Sequence, residues 1–372
     1  MIDGRWILAV AVAVAIHWIT PHRHRARVNL AVGVVLLTAA SPVGAAALVG
    51  ATTIAFLGTR GARASRTAIA LVTIATAFVL AKLLAMDSAE RDVATVATLL
   101  GFAYTAPRVA HVVIDVRSGR LRPPSLLALC SYLWYWPLLV IGPIHRFPDH
   151  EREFRRHRAD PAVLAQGVER VVVGLFTAVV IANIVVSRWF GDWIDGIDPE
   201  RAGLVSALRS VEYGANLYAA FAGWSAVAIG IANLQGIRVL PNFHRPFLQR
   251  NIADFWRGWH ISLTRWATDY LYRPAMAQWR RHVPAITVTM VAIGLWHELT
   301  ARYLIWGAYH AAGLAIHRAY ADRRGPARAG LVSRGAATLL TVAFVMAGFT
   351  ITRAASVDVM LDEFRDLFVG GW

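Results

Sequence analysis

The chain has 372 residues, 57% of them hydrophobic and 16% charged, where a soluble domain carries about a quarter charged residues. With a mean hydropathy of +0.47, this excludes an ordinary soluble fold. The formal net charge is +15, from 38 basic and 23 acidic residues. A soluble protein so charged would read as a nucleic-acid binder. Here the basic residues gather in short connections between apolar runs of about 20 residues, the length that crosses a bilayer core, so anionic lipid and not nucleic acid is the expected partner.

The first apolar run, Trp6 to Trp18, ends in PHRHRAR without a small-residue cleavage site, so it reads as a retained segment and not a signal peptide. The stretch 28–59 is broken at Ser41-Pro42 and predicts a hairpin that enters and leaves the membrane on one side. Simple spans follow at 67–86 and 93–113, joined by the acid-leaning DSAERD at 87–92. Lys82, in FVLAKLLAM, is the only lysine. A P-loop needs its lysine after a glycine-rich turn, so this chain alone does not drive ATP-fuelled transport. The stretch 124–145 lies between basic connections at 117–122 and 146–158 and is interrupted by Pro137 and Gly142-Pro143. It reads as a second re-entrant piece, tolerated at membrane depth where protein or water covers the backbone, or equally as a kinked structural helix.

Spans at 162–189 and 204–235 flank the acid-leaning FGDWIDGIDPE. Placing the basic connections in the cytoplasm and the acid-leaning ones outside gives a consistent path. The segment 241–282 is too polar to span. Trp256, Trp259, Leu263, Trp266 and Tyr270 recur at steps of three and four, predicting one helix with an aromatic face, and Asp254, Arg257 and Arg265 occupy its other side. This is the pattern of an interfacial helix with rings at headgroup depth. The chain then re-enters lipid at 283–297, returns at 303–318 and spans again at 335–352. The expected fold is all-α and polytopic: N-terminal helices over 1–122, a catalytic core over 123–352 and a short tail over 353–372, within a single membrane domain.

Ionisable groups stand inside the apolar stretch GLWHELTARYLIWGAYH. His297 lies about fifteen residues from the basic end of its segment, a depth of roughly 20 Å. His310 lies on the returning arm, with Glu298 and Arg302 near the tip. Such groups cost a few kcal/mol or more in lipid unless paired or wetted, so together they point to a functional cavity. A neutral imidazole near its working pH suits general-base catalysis on a hydroxyl. An acyl thioester is already activated and requires no covalent enzyme intermediate. In keeping with that, GWSAV at 223–227 lacks the second glycine of a nucleophile elbow. The single cysteine, Cys130, sits in an apolar run where a thiol is inert, and it excludes an internal disulfide. The spacing of His260, His297 and His310 matches no zinc motif, so no metal is expected. A proton-coupled transporter, or a non-catalytic subunit of a polysaccharide-export complex, are the alternative readings.

The run from LYAAFAGWSAV through FWRGWHISLTRW, with GLWHELTARYLIWGAYH and the earlier WPLLVIGPIHRF, resembles the membrane-bound O-acyltransferase family. It is most similar to the branch that O-acetylates alginate and other exopolysaccharides or D-alanylates teichoic acids. The resemblance implies a ring of tilted helices around a central tunnel in the bacterial cytoplasmic membrane. It implies His297 as catalytic histidine and His260 as a second functional one. Trp296, Asn242, Arg257, Trp259, Glu298 and His310 are the positions expected to meet substrate. The implied donor is a coenzyme A or acidic carrier-protein thioester, used as a substrate with no bound cofactor. The implied acceptor is a hydroxyl of a cell-envelope glycan or lipid-linked molecule, and an extracytoplasmic partner protein is a further expectation. Departures from the family pattern are Glu298 and Ala311 where glycines are usual, and Ala226 where an aspartate is frequent.

Overall fold

The structure, a computed structural model, describes residues 4–60, 64–87, 93–156, 159–324 and 331–372. The acid-leaning connection at 88–92 and parts of three basic ones (61–63, 157–158 and 325–330) lie outside the described residues. Every regular element among the described residues is helical. In chain order these are α1 (Gly4–Ile19), α2 (Arg25–Ala40), α3 (Pro42–Gly58), α4 (Ala64–Asp87), α5 (Val93–Arg117), α6 (Leu126–Leu133), α7 (Phe147–Arg156) and α8 (Pro161–Leu175). Helix α8 continues as a π-helix over Phe176–Phe190. Then come α9 (Gly191–Asp195), α10 (Ala202–Leu234), α11 (Ile252–Gly258), α12 (Ile261–Ala267), α13 (Arg273–Trp279), α14 (His282–His297), α15 (Ala301–Arg324), α16 (Leu331–Arg353) and α17 (Val357–Val369).

Among the described residues, four stretches are long and apolar enough to cross a membrane: Ala64–Leu83, Pro161–Asp195, Ala202–Leu234 and Ser333–Arg353. Helices α1, α3 and α14 are shorter apolar helices. Side chains such as Ile69, Val172 and Leu340 are more than half exposed, which for a chain of this composition marks lipid-facing surface. This is a multi-pass helical membrane protein.

The chain forms two units, residues 1–174 with 224–240, and residues 175–223 with 241–372. In the first, α3, α4, α5 and α6 enclose a core around Ala55, Val109, Val112, Leu129 and Leu133. The expected break at Ser41-Pro42 is a helix boundary. The Ser41 hydroxyl accepts a hydrogen bond from Gly44 N at 2.9 Å, and Pro42 opens α3 at the position where a missing N–H costs nothing. The stretch 124–145 is also broken as its prolines demand, into α6 and a single 3₁₀ turn over Trp136–Leu138. Its irregular carbonyls are met by protein. The buried Arg108 guanidinium donates to Leu138 O at 2.5 Å and Pro143 O at 3.1 Å. The next residues are pinned by Phe147 N, which donates to His111 Nε2 at 3.2 Å.

The second unit differs from expectation over 241–282. Periodicity predicted one helix, but α11 and α12 are separate, divided at Trp259–His260. His260 has φ 41 and ψ 55, the left-handed region that a non-glycine residue adopts only when its surroundings enforce it. The reversal turns the aromatic face inward: Trp256, Trp259, Leu263 and Tyr270 are all buried, with Phe243, Phe247 and Phe255 packed against Trp259.

Candidate active site

The site is built on the α14–α15 hairpin of the second unit. Two glycines let these helices approach. A Cβ on Gly294 would stand 2.2 Å from Tyr303 O, and one on Gly307 would stand 2.7 Å from Met290 O. Only residues without side chains fit at such a backbone crossing. The hairpin tip is fixed by Arg302, which pairs with Glu298 at 3.0 Å and donates to the carbonyls of Thr352 and Ala354, where α16 ends. A cation on exposed C-terminal carbonyls is a favourable cap. Glu298 is therefore engaged by Arg302.

Within this frame an unbroken run of ring contacts joins three histidines. The centroid of His260 lies 6.0 Å from Trp296, which lies 4.8 Å from His297. His297 is 5.8 Å from Trp306, and Trp306 is 4.7 Å from His310. Phe221 closes one end edge-on to His260 at 4.7 Å, and Trp256 backs His310 at 5.3 Å. Tyr303 stacks beside His297 at 6.0 Å, its hydroxyl hydrogen-bonded to Tyr213. His260 and His310 are each 2% exposed, whereas His297 keeps accessible surface. Of the three, His297 is the residue that is not fully buried.

His260 belongs to the α11–α12 connection, outside the spanning helices. Burial, reinforced by the neighbouring His297, holds its imidazole well below the ordinary histidine range, so it stays neutral. Its turn is secured by Asn242, whose carbonyl accepts from Ile261 N at 2.8 Å and whose Oδ1 accepts from Ser262 Oγ at 2.6 Å. Asn242 is 1% exposed and works from beneath the site. Trp259 is likewise buried in the aromatic cluster. Arg257 stands apart from the ring chain: its side chain is exposed and paired with Asp254. It lies on the rim of a cavity of about 580 Å³, walled by Trp256, Met290 and Ile293, with His317 and Arg318 also at its edge. Trp256 forms part of that wall and also packs on His310. Among the described residues, no three histidine, cysteine or carboxylate side chains converge as a metal would require.

The structure thus brings His260, Trp296, His297 and His310 together, seats Asn242 and Trp259 behind them, and sets Arg257 on a separate rim. Sequence reasoning did not single out Phe221, Tyr213, Tyr303 or Trp306. Tyr303, Trp306 and His310 do follow one another at steps of three and four, one face of α15, and that signal was available. Nothing local marks Phe221 or Tyr213, which reach the site only through the fold.

An all-helical membrane chain with a histidine held on an apolar hairpin belongs to a recognisable class. Residues 67–357 match the model of MBOAT, the membrane-bound O-acyltransferase family, and the chain belongs to that family. Its relatives include a protein named "Probable alginate O-acetylase AlgI" from Pseudomonas aeruginosa, 31% identical over 278 residues, which cover 72% of this chain and 51% of that one. A teichoic acid D-alanyltransferase of Streptococcus thermophilus is 28% identical over 247 residues, 60% of this chain and 58% of the relative. A peptidoglycan O-acetyltransferase of Helicobacter pylori is 31% identical over 233 residues, 58% of this chain and 43% of the relative. The chain spans about half the length of the curated relatives it matches.

Proposed function

We propose that this protein transfers a short acyl group, acetyl foremost, from a cytoplasmic thioester to a hydroxyl of a cell-envelope glycan or lipid-linked acceptor, in the bacterial cytoplasmic membrane. One observation carries the reading: of three histidines joined by packed rings, His297 alone presents accessible surface, on a hairpin whose polar neighbours Glu298 and Arg302 already neutralise one another. Relatives named for alginate, teichoic acid and peptidoglycan support envelope polymers as the acceptor class.

In the proposed reaction, neutral His297 takes the proton of the acceptor hydroxyl as its oxygen attacks the thioester carbonyl. A C–O bond forms and the carbonyl becomes a tetrahedral oxyanion. Its collapse breaks the C–S bond, and the departing thiolate recovers the proton from the imidazolium. General-base help of this kind contributes ~10²–10⁴-fold, and positioning of the two substrates supplies the rest. His260 acts as a positioning residue. Neutral and wedged between Phe221 and Trp296, it fixes the indole on which His297 packs, and Asn242 holds the turn that presents it. Trp296 and His310 border the reacting space, and Glu298 sets the hairpin tip through Arg302. The cavity beside Trp256 is the proposed seat of the donor's pantetheine arm, with Arg257 and Arg318 meeting its phosphates or an acidic carrier surface.

The test is thiol release from a panel of acyl-coenzyme A donors by the purified protein in nanodiscs, with and without an envelope glycan extract. Acceptor-dependent release by wild type that disappears in His297→Ala supports the reading. Equal release by both proteins, or acceptor-dependent transfer that survives the substitution, overturns the assignment of His297.

A further inference from the structure

The first unit holds a cavity of about 300 Å³ bounded by α1, α2, α6 and α7. Nothing in the proposed chemistry uses it. Its rim carries Arg23, Arg25 and Arg155 together with His22. The one acidic side chain lining it, Glu151, is paired with Arg155 at 2.7 Å, so three guanidiniums against one carboxylate leave the rim at +2. Arg25 is already oriented, donating to Thr20 O at 3.0 Å and lying 5.0 Å over the Trp18 ring. The first residues of α2, Arg25 and Ala26, also line the opening, adding the positive end of a 16-residue helix.

The floor is what turns a basic surface into a built site. His17 and His150 reach the cavity and are 1% and 3% exposed. His17 is committed, its Nδ1 2.7 Å from Asn29 Nδ2. His150 is not. Its ring nitrogens find no hydrogen bond of full geometry among the described residues, apart from an interaction with the Ser131 backbone. A buried polar atom left in that state costs roughly 1–3 kcal/mol; the ring packs 4.4 Å from Phe154, and a shift of it toward a bound hydroxyl or acid proton would relieve that cost. The remaining walls are apolar, Leu127, Phe147 and Phe154. Leu126 next to them is 51% exposed, as on a lipid-facing helix.

We propose that this cavity binds the phosphate group of an amphiphile, with Arg23, Arg25 and Arg155 around the phosphate, His150 beneath it and the apolar tail along Leu127, Phe147 and Phe154. Guanidiniums converging on a small opening recognise phosphate oxygens by paired hydrogen bonds. The apolar walls select a phosphate that carries a chain. Two sources share that chemistry: an anionic phospholipid, and the phosphopantetheine end of a thioester donor. The site lies within the first unit; its lipid reading stands independently of the acyl-transfer proposal, whereas its donor reading would replace the seat proposed above beside Trp256.

The experiment is native mass spectrometry and thermal unfolding of the full chain, titrated separately with phosphatidylglycerol, phosphatidylcholine, coenzyme A and inorganic phosphate. The probe variant is Arg23→Gln/Arg155→Gln, since both side chains are exposed and surface substitutions of this kind are expected to leave the fold intact. The control is Arg280→Gln/Arg281→Gln, which removes an equal charge from the basic connection before α14. Phosphatidylglycerol or coenzyme A should bind wild type and the control alike and bind the probe variant roughly 10- to 30-fold more weakly, about three- to fivefold per arginine. Dependence shown by the lipid identifies a lipid site, and dependence shown by coenzyme A identifies a donor site and removes the donor's phosphates from the cavity beside Trp256. The inference is overturned if neither ligand binds, if inorganic phosphate binds as well as either, or if both arginine pairs weaken binding equally.

Discussion

Gly294→Ala is the smallest change that strikes the frame of the site. The added methyl would sit 2.2 Å from Tyr303 O and 3.4 Å from the Trp306 ring. The obstacle is backbone, so a rotamer change cannot relieve it. Restoring an ordinary contact requires α14 and α15 to part by about 1 Å, and overpacking of that kind costs ~1–3 kcal/mol. His297 lies three residues beyond, with its ring against Tyr303 and Trp306, so the same displacement reaches the proposed base. A 1 Å misplacement of a reacting group lowers rate by ~100-fold. Gly50→Ala is the matched control, because a Cβ there meets nothing within 4 Å and alanine in mid-helix gains ~0.5–1 kcal/mol. Thermal unfolding in detergent and initial rates of acyl-ester formation would be measured for both. If Gly294→Ala unfolds within about 0.5 kcal/mol of wild type and keeps its rate, the close crossing does not hold the site.

Three more outcomes follow from the same geometry. Asn242→Ala and Ser262→Ala should be non-additive by ~1 kcal/mol in a double-mutant cycle, with kcat falling and KM little changed; strict additivity would mean that the 2.6 Å bond does not hold the His260 turn. Arg302→Gln removes both the Glu298 partner and the α16 cap, and should destabilise by ~2–3 kcal/mol. Adding Glu298→Gln should cost less than the sum, because the stranded carboxylate goes with it. Burial depresses the imidazoles of His260 and of His150, which lies on α7 outside the spans. The unfolded chain therefore takes up protons first. Stability should be level above pH ~6.5 and fall below it, by ~1.4 kcal/mol per pH unit for each such histidine, until the folded values are reached. Substituting His260 by Gln should make that acid slope shallower, and an unchanged slope would show that His260 is not held neutral.

Much of the architecture was legible because length and hydropathy specify spans directly, and because proline marks its own breaks. Pro42 opens α3 just past the end of α2, and Pro137 lies in the 3₁₀ turn that follows α6, whereas Pro107 is carried inside α5 without ending it. The segment 241–282 was misread for an equally physical reason. The three- and four-residue steps from Trp256 to Tyr270 run straight across a left-handed residue that is a histidine and not a glycine, so nothing local announces the turn. Its conformation is enforced from elsewhere, by Asn242 and by packing on Phe221. The same holds for the site. His297, His310, Trp296 and Glu298 lie within one short stretch and could be read together. The contacts from Phe221 to His260 and from Tyr213 to Tyr303 join residues distant in sequence, and only the folded chain brings them side by side.

The most direct measurement of the central claim uses a ¹³C-acetyl thioester donor with an isolated envelope polymer and follows the label by mass spectrometry. It compares wild type, His297→Gln and His310→Gln in matched nanodiscs. The account predicts ester-linked label on the polymer with wild type, none above background with His297→Gln, and a reduced but measurable amount with His310→Gln. Labelled ester appearing at the wild-type rate with His297→Gln, while that variant remains folded, would contradict it.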